Sequence, residues 1–77
     1  MRKNESFSFE IVKRVGVLKE SATGWKKELT IVDWNGNGPK YDIREWDENY
    51  EKMTRGITLT LEEARKLKEL LNSDEEL

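Results

Sequence analysis

The chain has 77 residues, of which 35% are hydrophobic, and 14 Lys and Arg stand against 16 Asp and Glu for a formal charge of −2. That length permits one domain with a thin core, marginal unless a staple or a second copy enlarges it. Cys and His are both absent, which excludes disulfides, thiolate or imidazole metal sites and imidazole acid–base catalysis, and leaves homodimerisation as the way to add core.

Residues 7–18 read as a first strand. Phe7, Phe9 and Ile11 alternate with Ser8 and Glu10, the period of a half-buried strand. Val12, Val15, Val17 and Leu18 then put apolar residues on both parities, which predicts a bend or bulge near Gly16. Ser21-Ala22-Thr23-Gly24 is a turn by composition. A second strand covers 25–34. Asn35-Gly36-Asn37-Gly38-Pro39 follows, and Asn-Gly supplies the positive φ of a tight hairpin. Residues 40–46 alternate cleanly as a third strand, 47–55 are polar and irregular, and 56–60 make a short fourth strand.

Thr60-Leu61-Glu62-Glu63 is a capping box that opens a helix. Leu61, Ala64, Leu67, Leu70 and Leu71 recur at spacings of three and four, giving one apolar stripe that serves as core or dimer interface. Asp74-Glu75-Glu76 reads as a frayed tail. The order β-β-β-β-α predicts an α+β fold, an antiparallel sheet with one C-terminal helix. A single domain spans 1–77, with an ordered core over 6–72. No run is apolar enough for a transmembrane span or a secretory signal, so the expected location is the cytoplasm.

Charge is unevenly placed. Residues 1–44 carry nine basic and six acidic side chains, a balance of +3, whereas 45–77 carry five and ten, a balance of −5. An acidic helix and tail leave room for a basic face elsewhere. On strands two and three, Leu29, Ile31, Tyr41 and Ile43 share one parity and read as the core face. The opposite parity holds Thr30, Val32, Trp34, Lys40, Asp42, Arg44 and Trp46, and reads as solvent-facing.

Two indoles among cations on a wet sheet face suit an unpaired polynucleotide, because bases stack on rings and phosphates need spaced cations. The same indoles also read as cross-strand partners that cover a small sheet or pack on a second copy. Lys26-Lys27 by itself reads as a solvated strand end, and Asp47, Glu48 and Glu51 as a solvated loop without the turn and spacing of a calcium site. No residue sits in a nucleophile motif and no acids are paired, so no enzyme is expected.

Several stretches in order resemble a known family. They are Trp25-Lys26-Lys27-Glu28-Leu29, Val32-Asp33-Trp34-Asn35, Pro39-Lys40-Tyr41-Asp42-Ile43-Arg44-Glu45-Trp46 and Lys52-Met53-Thr54-Arg55-Gly56-Ile57-Thr58-Leu59-Thr60. Together they resemble the bacterial YdbC-like branch of the transcriptional coactivators called positive cofactor four, over nearly the whole chain. The resemblance implies a homodimer of curved four-stranded sheets whose helices meet at the interface, holding single-stranded DNA with little sequence preference. It implies base stacking by Trp34 and Trp46, and phosphate contacts from Arg44, Lys52 and Arg55. Lys40, Lys26 and Lys27 join that set from the sheet-face reading. Leu61, Ala64, Leu67, Leu70 and Leu71 would line the dimer interface. The implied role is in transcription regulation, replication or repair, with RNA as a further ligand and no cofactor. A second reading of the same face, with its exposed aromatics and the acidic helix, is a protein-interaction module.

Overall fold

The computed structural model describes residues 8–77, so Phe7 lies outside the described residues. Four strands form one antiparallel sheet in sequence order: β1 (Phe9–Glu20), β2 (Lys26–Trp34), β3 (Pro39–Trp46) and β4 (Ile57–Leu59). One helix, α1 (Leu61–Ser73), follows. This is the β-β-β-β-α order that the alternation predicts.

β1 spends twelve residues alongside the nine of β2, because its register slips three times. Val12, Val15 and Leu18 are left without partners in the ladder, one every third residue. Each such bulge sets two residues against one and adds bend and twist. Sequence crowding predicts one bend near Gly16; the structure places one there and one on either side. Val12 with Lys13 faces Ile31, and Val15 with Gly16 faces Leu29. Both valines stay exposed.

The hairpins follow their turn residues. Gly24 lies at φ +91°, and the Ser21 and Trp25 backbones close the turn with a 2.8 Å bond. Asn35 and Gly36 both take positive φ, 55° and 75°, as a primed hairpin turn demands. Asn35 also reaches Ser8, just before β1, accepting from its N–H at 2.7 Å and donating its own N–H to the Ser8 carbonyl.

α1 begins at the predicted capping box. Thr60 Oγ1 accepts from the Glu63 N–H, and the Glu63 carboxylate accepts from the Thr60 N–H at 2.9 Å. Past the helix, Asp74 Oδ1 accepts from the Glu76 N–H, and the Leu77 N–H donates to the Asp74 carbonyl. No described helix is long and apolar enough to cross a membrane.

The two sides of the sheet are occupied the opposite way to the parity assignment. Thr30, Val32, Asp42 and Trp46, placed by alternation on the solvent face, are fully buried, and Glu28 joins them. Leu29, Ile31, Tyr41 and Ile43, placed in the core, are only half-buried. Curvature explains the exchange. The bulged sheet curls so that large rings fill its concave side, whereas α1 packs chiefly over β3 and β4 on the other side. No residue of α1 is buried. Between helix and sheet runs an open apolar groove of about 520 Å³, lined by Leu29, Tyr41, Leu59, Leu61, Ala64 and Leu67 among others.

Candidate nucleic-acid interface

The concave side gathers aromatic rings from three strands and a loop. Phe9 stands opposite Trp34 in the β1–β2 ladder, with ring centroids 5.6 Å apart. Trp46 lies 5.4 Å from Phe9 and 6.4 Å from Trp34, its plane within 9° of the Trp34 plane. Tyr50 adds a tilted ring 6.0 Å from Trp46. Such spacings are those of attractive ring pairs. Phe9 and Trp34 remain half-exposed at the rim, while Trp46 beneath them has no exposed surface. The solvent-facing indole expected at Trp46 is therefore corrected to an interior one.

Tyr50 arrives from the irregular loop. Its backbone adopts φ +57°, held by its N–H bond to the Asp47 carbonyl. Asp47 Oδ1 also accepts from the N–H groups of Glu51 and Lys52, at 2.8 and 3.1 Å. Those amides, that of Lys52 foremost, hold the Asp47 carboxyl below the usual aspartate range. The loop thus swings the Tyr50 ring back over the sheet. There its hydroxyl donates to buried Glu28 at 2.5 Å and accepts from Arg14 Nη1 at 2.6 Å. The Arg14 guanidinium also lies 5.0 Å from the Tyr50 ring centre.

A second polar cluster sits under Trp34. Asp42, fully buried, takes both oxygens to Arg44: Nε to Oδ1 at 2.5 Å and Nη2 to Oδ2 at 2.8 Å. Thr58 Oγ1 from β4 donates to the same carboxylate at 2.8 Å. The Arg44 guanidinium carbon lies 4.6 Å from the Trp34 ring centre, a cation–π arrangement. Two other buried polar atoms, Thr30 Oγ1 and Trp46 Nε1, have no hydrogen-bond partner among the described residues. The floor of the concave side holds bonding capacity that these residues do not use.

The remaining cations divide by register. Lys26 stands opposite Trp46 and Lys40 opposite Val32, on the side of the rings. Lys27, opposite Glu45, has the other parity and falls on the side of Leu29 and Ile31. Lys40, Lys52 and Arg55 are exposed, and Lys26 half so. The structure thus brings Trp34, Arg44, Trp46, Lys26 and Lys40 to one side, with Lys52 and Arg55 in the adjoining loop and Lys27 apart. Sequence reasoning missed Phe9, Arg14 and Tyr50 as members of the cluster. Phe9 could have been found from its pairing with Trp34. Tyr50 carried no signal, because a loop residue gains its place from a positive φ that its own type does not announce.

Comparison with known proteins gives the chain a family. Residues 21–70 match the family described as Transcriptional Coactivator p15 (PC4). An uncharacterized protein of Treponema pallidum (strain Nichols) is 44% identical over 70 residues, covering 91% of this chain and 82% of that protein.

Proposed function

Because the chain belongs to the Transcriptional Coactivator p15 (PC4) family, we propose that it is a homodimeric, non-enzymatic binder of single-stranded DNA with little sequence preference. The observation that carries this reading is the ring cluster on the concave side with cations around it. Stacking falls to Trp34 with Phe9, whose rings reach the rim, and Trp46 supports them from below. Phosphate contacts fall to Lys40, Lys52 and Arg55, with Lys26 at the far end of β2. Lys27 joins only through a strand that wraps past the sheet edge. Single-stranded RNA is a second ligand of the same chemistry, since every base offers a face to stack. The setting is transcription regulation, replication or repair in the cytoplasm, in association with the nucleoid.

The dimer reading rests on the other side of the sheet. Leu61, Leu67, Leu70 and Leu71 are exposed along α1, and the groove beside them is apolar. A second copy laid across this face would cover both.

A titration of tryptophan emission with oligothymidylate, oligouridylate and duplex DNA tests the function. Single strands should quench in preference to duplex, and lower salt should tighten binding as counterions are released. Trp34→Ala should weaken binding by about 1–3 kcal/mol while leaving the fold intact. Equal binding by that variant, or a preference for duplex, would overturn the stacking role. Quenching by none of the three would favour the protein-interaction reading.

A further inference from the structure

The resemblance assigns Arg44 to phosphate, yet its bonds are already taken. Nε and Nη2 both go to buried Asp42. Nη1 donates to the Thr54 carbonyl at 3.4 Å and approaches the Met53 sulfur at 3.6 Å. The side chain keeps 14% of its surface, and the carboxylate facing it keeps none. A guanidinium paired this closely presents little net charge to a phosphate. What it offers instead is a flat plate fixed under the Trp34 ring. The chain is shaped around this plate: a methyl group at Gly56 would collide with the Ile43 carbonyl and the Arg44 Cβ.

We propose that Arg44 is a positioning residue, locked by Asp42 and Thr58, that fixes the plane of the Trp34 indole for stacking and supplies no phosphate contact. This rests on the reading of the concave side as the single-strand surface. It predicts that shape matters at position 44 and charge alone does not, since a lysine lacks the planar fork.

The test compares Arg44→Lys, Arg44→Gln and Lys40→Gln in the full chain, with oligothymidylate over a range of salt. Both Arg44 variants should bind about tenfold more weakly, at the low end of what one stacked base contributes. Their plots of log affinity against log salt should stay parallel to the parent's. Lys40→Gln should flatten the plot by about one phosphate's worth. Parent-like binding by Arg44→Lys, together with a flattened plot for Arg44→Gln, would overturn the proposal. A second readout needs no DNA. The Trp34 indole N–H resonance, assigned by its loss in Trp34→Phe, should move in both Arg44 variants while that of Trp25 stays. An unmoved Trp34 resonance would also overturn the proposal. If the parent binds no oligonucleotide, the proposed function fails, and this resonance alone decides the role of Arg44. If the Arg44 variants lose their sheet signal in far-ultraviolet circular dichroism, Thr58→Val, which removes one bond to Asp42, carries the same two tests.

Discussion

At Trp46 the demands of stacking on a ligand and of packing in a core meet in one side chain, and packing prevails. The ring has no exposed surface and touches Phe9, Trp34 and Tyr50. Only one other apolar side chain among the described residues, Val32, is as deeply buried. Trp46→Ala should therefore cost about 3–5 kcal/mol of stability, read as a lowered urea midpoint. Trp34→Ala, at the rim, should show its effect chiefly in binding. The sequence distinguished these two tryptophans poorly for a physical reason. Alternation assigns residues to two faces, but it does not state which face is inside. That depends on curvature, and curvature comes from the bulges of a neighbouring strand. The grouping of Trp34, Arg44 and Trp46 was legible from parity; the burial of Trp46 and the engagement of Arg44 by Asp42 were not.

Among the elements, those with strong local signals were the most legible. The Asn35-Gly36 turn and the Thr60/Glu63 cap each depend on a few adjacent residues, and both form as read. β1 was less so, because three insertions break its period before it can be counted. The 47–55 segment carried no period at all, although it delivers Tyr50 to the site. Its fold depends on the Asp47 carboxylate. Because bonding to the backbone amides lowers the folded pKa of Asp47, its contribution is fully present above the unfolded aspartate value of about 4 and is lost as pH falls through the lower folded value. The amides of Glu51 and Lys52 should lose hydrogen-exchange protection in that acid window, relative to the sheet amides. Asp47→Ala should show the reduced protection at neutral pH and no further acid step. An acid step that survives in Asp47→Ala would assign the titration to another group.

The whole molecule is more extended than its length requires. Its radius of gyration is 14.4 Å, against about 11.5 Å for a compact chain of this size. The helix leans on the sheet without sealing it, and none of its residues is buried. A second copy would supply the missing cover. Leu70, 58% exposed, is suited to test this, since a charge there costs an isolated chain little. Leu70→Glu should halve the mass seen in sedimentation equilibrium while keeping the helical signal. A parent that already sediments at the mass of one chain would remove the dimer from the proposal.

The unpartnered Val12, Val15 and Leu18 have a consequence for how this strand tolerates change in length. Excising one of them leaves every remaining rung of the β1–β2 ladder with its present neighbour, so the strand can shorten without sliding. What it would lose is curl. A shortened β1 should lie flatter, draw Phe9 away from the two indoles, and let water reach Trp46. Tryptophan emission shifted to longer wavelength in a chain lacking Val15 would register that opening, and unchanged emission would mean that the curl has another origin.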